Sequence, residues 1–318
     1  MTTAAPDKIA MPAHVLRASD LDEDQLGEVL RNAERMKRAP FAFTNALPGR
    51  TLVTLFEKPS TRTRVSIAAA AHRLGMLPLV LRSDELQLGR GETIEDTARV
   101  LSGYCSAIAI RTFEHAKLEQ VAAAATVPVI NALSDDHHPC QALADLLTLH
   151  EHFGRLEGLK LAYVGDATNT AHSLLEMGAR AGLNIAIATP EGYGPDPDVV
   201  AVARGLAVLH GGSIEVSNDP LHAAWNADAV YTDVWVSMGD EAERDERLRA
   251  LRDYQVDAHL MSVAHGNAVF LHCLPAHRGQ EVIAEVIDGP QSLVFQQAAN
   301  RLPTAQALIH ALVLSSEH

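Results

Sequence analysis

Residues 51–74 read TLVTLFEKPSTRTRVSIAAAAHRL, and the chain changes character twice along them. The first six, TLVTLF, are β-branched and apolar, the composition of a buried strand. From Val65 onward the residues are strong helix formers, stopped by Gly75. Between them Ser60, Thr61, Arg62, Thr63 and Arg64 crowd three hydroxyls and two guanidiniums into the junction. A helix that starts near Ser60 or Thr61 directs unpaired backbone N–H groups and the positive end of its dipole beyond the strand. An anion with several acceptor oxygens is the expected guest, with ordinary capping by Ser and Thr as the competing reading.

A strand entering a helix in this way is half of a βαβ unit, and the pattern recurs in both directions from this stretch. Short apolar runs fall at 51–56, 77–81, 107–110 and 127–130, with helical segments at 61–74, 93–102 and 114–124 between them. A second series of runs at 159–164, 184–188, 213–216, 229–232 and 269–272 alternates with helical segments at 170–181, 198–210 and 241–252. The expected class is therefore α/β, with two domains, each a parallel sheet flanked by helices. The expected division is 1–140 and 141–302, bridged by a helix over 139–152 that opens on Pro139 and stops at Gly154. A last helix over 303–318 is expected to pack back on the first half. A length of 318 residues agrees with two cores. Ligands of open parallel sheets bind beyond the carboxyl ends of strands, where every motif below also lies, so one cleft between the domains is expected.

Composition limits the partners. Twenty-six Lys and Arg against 40 Asp and Glu give a net charge of -14, which argues against nucleic acid and demands local positive charge for an anionic ligand. Cys105, Cys140 and Cys273 are odd in number and widely spaced, so neither a disulfide framework nor a CxxC metal pattern is expected. No apolar run approaches the roughly 20 residues of a membrane helix. The first 21 residues lack a signal-like apolar core, so a cytoplasmic location is expected.

Four further places carry chemistry. Arg111 follows the run AIAI at a sheet edge, where a solvated charge is the competing reading. In HHPCQALADLL (137–147), Pro139 sets the helix start and puts His138 at the cap. The dipole there lowers a histidine's pKa and leaves it a donor to a carbonyl oxygen, while Gln141 offers an acceptor to an amide N–H. His137, His138 and Cys140 resemble metal ligands, but their spacing fits neither CxxC nor HExxH. Asn169 lies in GDATNTAHS (165–173), which lacks GxGxxG and with it the physical basis of a dinucleotide site, and a capping role for Asn169 competes. Asp233, Ser237 and Met238 lie in YTDVWVSMGDE (231–241), where the carboxylate suits an ammonium and a helix-capping loop competes. Cys273 and Leu274 lie in HCLPAHRGQE (272–281). There the thiol is either a small apolar filler or a nucleophile needing His272 or His277 as base, and the Leu274 carbonyl suits an amine.

Taken in order, FEKPSTRTR, HHPCQALADLLTL, DVWVSMGDE and HCLPAHRG resemble the transcarbamoylase family, in its ornithine branch, over nearly the whole chain. The resemblance implies transfer of a carbamoyl group from carbamoyl phosphate to the δ-amine of L-ornithine, giving L-citrulline and phosphate, in the setting of arginine biosynthesis. The residues do not fix the direction of that chemistry. It implies that Ser60, Thr61, Arg62 and Thr63 hold the phosphate, with Arg111 reaching phosphate and carbonyl oxygens. His138 and Gln141 hold the carbamoyl group. Asn169, Asp233, Ser237 and Met238 bind the amino-acid end, and Cys273 and Leu274 contact carbamoyl phosphate and lie by the reacting amine. Arg62, Arg111, His138 and Cys273 are the residues implied to act in catalysis. Gln87, in SDELQLGRG, matches a position lent to a neighbouring subunit, which implies a homotrimer with shared sites. Arg301 matches a further carbamoyl phosphate contact, although Ala299, Pro303 and Thr304 around it depart from the family pattern. Positioning and electrostatics suffice for this reaction, so no metal or organic cofactor is expected. Carbamoylation of putrescine, acetylornithine or aspartate, binding without turnover, and metal-dependent hydrolysis are the rival readings.

Overall fold

The computed structural model describes residues 9–82, 91–237, 239 and 241–317. Two parallel sheets follow one another along the chain. The first half runs α1 (Glu23–Arg38), β1 (Thr51–Phe56), α2 (Thr61–Arg73), β2 (Leu77–Arg82), α3 (Ile94–Ser102), β3 (Ala107–Arg111), α4 (His115–Ala124) and β4 (Val129–Leu133), and α5 (Pro139–Phe153) leads out of it. The second runs β5 (Lys160–Val164), α6 (Asn169–Arg180), β6 (Asn184–Ala188), α7 (Pro197–His210), β7 (Ser213–Ser217), α8 (Pro220–Ala224), β8 (Ala229–Thr232), α9 (Arg244–Ala250), α10 (Ala258–Val263), β9 (Val269–His272) and α11 (Ala284–Ile287), before α12 (Val294–Ser315). Strand order is β2-β1-β3-β4 in one sheet and β7-β6-β5-β8-β9 in the other, every pair parallel. Each of the nine runs read as strands overlaps a strand, the one read at 127–130 being shifted to Val129–Leu133.

The ends of the elements follow from local chemistry. α1 opens on a reciprocal capping box, in which Asp22 accepts from the Gln25 N–H at 2.8 Å and the Asp22 N–H donates to Gln25 Oε1 at 2.8 Å. α5 has Pro139 at its first position and ends on Gly154 in the left-handed region, φ 72, where a side chain would be strained. α5 is buried along most of its length, as its place between the two sheets requires.

Two elements depart from the sequence reading. The segment 241–252 is a 3-10 turn over Glu241–Glu243, then the short α9, then a second 3-10 turn. The last helix starts at Val294, nine residues before Pro303, which stands inside it. Proline at the start of a helix is the favoured reading because it lacks the N–H that an interior residue donates. Here tertiary bonds hold the turns before Pro303. Gln297, Asn300 and Arg301 are all buried and donate to Asp145, Thr148 and Gln141. α12 packs on α1, α2 and α5 of the first half and also touches β9 of the second.

Candidate active site

The C-terminal edge of the first sheet carries the hydroxyl and guanidinium cluster. Ser60 is the N-cap of α2, with extended backbone, and its hydroxyl makes no capping bond, so the hydroxyl is left for another partner. Arg62 is half-buried and Thr63 buried, but Arg64 is exposed. Two residues turn a helix by about 200°, so Arg62 and Arg64 cannot serve the same face, and the expected positive charge comes from Arg62 without Arg64. Arg62 Nη2 donates to the carbonyl oxygen of Leu274. That bond joins the FEKPSTRTR junction to the turn after β9, so the carboxyl edges of the two sheets face each other across one cleft.

Two more guanidiniums stand behind Arg62. Arg111 closes β3, and Arg301 comes from α12; both are buried. Arg301 Nη1 donates to Gln141 Oε1 at 2.5 Å and Nη2 to Thr63 Oγ1 at 3.0 Å. Burial, followed by the charges of Arg301 and Arg62, holds the Arg111 guanidinium down at about 10. Burial also lowers Arg301, with Arg62 adding to the repulsion. The Nε atom of Arg111 has no hydrogen-bond partner among the described residues. Three mutually repelling cations with an unspent donor are matched to a polyanion.

His138 and Gln141 sit beside this trio at the start of α5. The His138 backbone N–H donates to Ser173 Oγ at 2.7 Å, and its ring makes no capping bond. Burial first, then Arg301, Arg111 and Arg62, keep the imidazole well below its ordinary 6.5, so it is neutral. Gln141 Nε2 donates to Asp145 Oδ1 at 2.8 Å. The amide is thereby turned so that Oε1 faces Arg301.

The second sheet supplies an acidic and thiol pair. Asp233 follows β8 and is buried, accepting at Oδ1 from its neighbour Val234 N–H at 2.7 Å and from Cys273 Sγ at 2.9 Å. Gly165 at the end of β5, φ 125, leaves room for this edge, because a Cβ there would stand 3.2 Å from both Thr232 Oγ1 and Trp235 Nε1. Burial and Asp233 raise the Cys273 thiol well above 9.0. His272 accepts the Leu274 N–H at its Nδ1, 2.8 Å, so that atom is not free to take a proton from sulfur. His277 is largely exposed. Cys273 is therefore a thiol donor rather than a nucleophile. Asn169 is the first residue of α6, with Thr168 as the cap, and donates to the Ser134 carbonyl at 2.7 Å, which links the second half to the loop before α5. Ser237 is half-buried at the end of its loop. Gln87 and Met238 lie outside the described residues.

The metal reading of His137, His138 and Cys140 has no geometric support among the described residues. Cys140 Sγ donates to the Asn131 carbonyl at 3.4 Å, and His137 Nδ1 stands 3.8 Å from Glu176 Oε2. Asp233, His272 and Cys273 do bring donor atoms within 4.8 Å of one another, and they are already bonded to each other or to backbone. Sequence reasoning missed Asp145 and Gln297, which connect the two halves. The signal was present for Asp145, the one charged residue in the apolar run 142–147, four residues after Gln141 on the same helix. Gln297 had none, because its part of α12 was not read as helix.

Fold and edge chemistry define a two-lobed α/β protein with a polyanion cradle on one lobe and a carboxylate with a thiol on the other. Comparison with known proteins agrees. Residues 13–151 match the carbamoyl-P binding domain of aspartate/ornithine carbamoyltransferases, and residues 157–312 match the Asp/Orn binding domain. A relative from Acidothermus cellulolyticus, called ornithine carbamoyltransferase, is 52% identical over 303 residues, 95% of this chain and 97% of its own. One of the same name from Bacillus subtilis is 50% identical over 303 residues, 95% and 94% of the two chains. The solved structure of ornithine carbamoyltransferase from Pyrococcus furiosus superposes with a TM-score of 0.92 at 46% identity, covering 96% of this chain and 98% of that one. The chain belongs to the aspartate/ornithine carbamoyltransferase family. It is a carbamoyltransferase.

Proposed function

We propose that the chain transfers the carbamoyl group of carbamoyl phosphate to the δ-amine of L-ornithine, releasing L-citrulline and phosphate. One observation carries the reading. The trio Arg62, Arg111 and Arg301 meets the Cys273, Leu274 and Asp233 edge through the Arg62 bond to Leu274. The relatives' names supply ornithine, and a buried carboxylate at Asp233 suits the charged amino-acid end of a diamino acid. In this reading Ser60, Thr61, Arg62 and Thr63 hold the phosphate with Arg111 and Arg301. Neutral His138 donates to the carbamoyl oxygen, and Gln141 Oε1 accepts from the carbamoyl N–H. Asn169, Asp233, Ser237 and Met238 take the amino-acid end. The carbamoyl half is residues 1–140 with 303–318 packed back, and the ornithine half is 141–302.

The δ-amine has a free pKa near that of lysine, about 10.4, and attacks only as the neutral base. Leaving water beside three guanidiniums lowers it. Its nitrogen forms the new bond to the carbamoyl carbon, and negative charge builds on the carbonyl oxygen, where Arg62, Arg111, Thr63 and His138 stabilise it. The carbon–oxygen bond to phosphate then breaks, and the proton shed by nitrogen leaves with the phosphate.

We propose the cytoplasm as the site of action; no helix among the described residues is long and apolar enough to cross a membrane. We also propose a homotrimer that shares sites through Gln87. The outer strand of the first sheet, β2, supports it: Leu77 and Leu79 are 57% and 42% exposed, an apolar edge that a partner would cover. Incubating the purified chain with carbamoyl phosphate and, separately, L-ornithine, acetylornithine, putrescine and L-aspartate tests the activity. Citrulline from ornithine supports it. Product from another amine in preference, or from none, rejects it.

A further inference from the structure

Asp145 is fully buried in α5, yet it faces side chains from three elements. Its Oδ1 accepts from Gln141 Nε2 of the same helix at 2.8 Å and from Gln297 Nε2 of α12 at 2.7 Å. Gln297 Nε2 also lies 3.2 Å from the hydroxyl of Tyr231 on β8, and the charge of Arg301 is close enough to favour the ionised carboxyl. Oδ1 is the acceptor in both bonds, so both amides present their N–H to it and their oxygens away from it. For Gln141 the oxygen then faces Arg301 and the carbamoyl side. For Gln297 it receives the His272 N–H at 2.9 Å, one residue before Cys273.

We infer that Asp145 is a positioning residue that sets the Gln141 amide and, through Gln297, the Cys273 and Leu274 turn, tying the two half-sites to one carboxylate. The inference rests on the proposed reaction and assigns a task to a residue that the reaction itself does not touch. A buried carboxylate is a costly way to accept two amide N–H groups. Burial pushes its carboxyl up to about 7, against the opposing hydrogen bonds from Gln297 and Gln141, and its second oxygen has no partner among the described residues. An apolar side chain of similar volume removes that cost but leaves the buried Gln141 and Gln297 amides short of an acceptor. What it does not do is orient two amides at once.

The test uses the full-length protein and compares Asp145→Leu, which has no acceptor, with Asp145→Asn, which keeps one oxygen. Carbamoyl phosphate Kd by calorimetry, ornithine KM and melting temperature are measured for each. Asp145→Leu is expected to raise both the Kd and the KM by about tenfold or more, the loss of a charge-assisted bond at each amide. Asp145→Asn is expected to restore most of both. Gln297→Met should raise ornithine KM alone and leave the carbamoyl phosphate Kd within about twofold, since it lies only on the branch to Cys273. Asp145→Leu with both constants unchanged, or with only one changed, overturns the inference whatever happens to the melting temperature. If that variant does not fold, Gln297→Met decides: a raised KM supports the inference and an unchanged one overturns it. Wild-type protein that forms no citrulline instead defeats the proposed function, so the two failures are told apart.

Discussion

Replacing Arg111 with methionine should stabilise the empty protein and disable it at the same time. The folded chain holds this guanidinium at about 10, some two and a half units below its ordinary value, through burial and then through Arg301 and Arg62. At about 1.4 kcal/mol per pKa unit, its charge costs the ligand-free fold on the order of 3 kcal/mol. The sign is fixed, because a base whose folded pKa is depressed is destabilising wherever it is charged in both states, which covers all of neutral pH. Methionine fills similar space without the charge. The expected gain is bounded by that figure, and in a chain of this length it corresponds to a melting temperature up to roughly 5 °C higher. Ligand binding moves the other way, since a charged hydrogen bond is worth about 1.5 to 3 kcal/mol, or tenfold to more than a hundredfold in Kd. Inorganic phosphate, a heat-stable product of the proposed reaction, is the probe for scanning calorimetry. Phosphate at about a hundred times its Kd should stabilise the wild type by roughly 2.7 kcal/mol, and the variant much less at the same concentration. If Arg111→Met melts lower than wild type without phosphate and keeps the full phosphate shift, Arg111 is a structural cation and the cradle argument fails.

Asp145 gives a pH signature with the sign worked from its raised pKa. Its carboxyl goes from 3.8 to about 7 on folding, so its penalty is absent below about 4, grows between about 4 and 7, and is complete above that. Asp145→Asn lacks this slope and should gain on the order of 1 kcal/mol relative to wild type between about pH 6 and about pH 8 in urea melts; a constant difference contradicts the assignment. Cys273→Ser should raise ornithine KM more than carbamoyl phosphate Kd, because the thiol is bonded to Asp233 and makes no hydrogen bond to the guanidinium cluster; equal effects on both would remove the turn from the amine side. Mixed Gln87→Ala and Arg62→Ala proteins should recover part of the lost activity through hybrid sites, and no recovery despite demonstrated subunit exchange argues against a shared site.

How legible the molecule was depended on whether a signal was local. The strand-to-helix junction at 51–74 is a local event, a β-branched run meeting helix formers across a polar knot, and it became β1 and α2 with Ser60 as the cap. The same held for Pro139 and Gly154, which bracket α5. Pro303 misled for the converse reason. Its local preference is to begin a helix, and what overrides it is a set of long-range bonds from Gln297, Asn300 and Arg301 to α5 that no window of sequence contains. Arg64 was a simpler loss, since adjacency in sequence groups it with Arg62 while helical rotation separates them. α1 was passed over, although Leu26, Val29, Leu30, Ala33 and Met36 recur at helical spacing and are all buried. The types of group at the site were readable one by one. Their convergence was not, because it depends on which strand edges face each other, and the bond from Arg62 to Leu274 spans residues that sequence places far apart.

The most direct measurement is a crystal structure with a phosphonate that joins both reactants in one molecule. The account predicts the phosphonate oxygens on the Ser60, Thr61 and Thr63 junction within reach of Arg62, Arg111 and Arg301, and the amino-acid end beside Asn169 and Asp233. A molecule bound with its phosphonate away from that junction, or with its amino-acid end off the Asp233 and Cys273 edge, contradicts it.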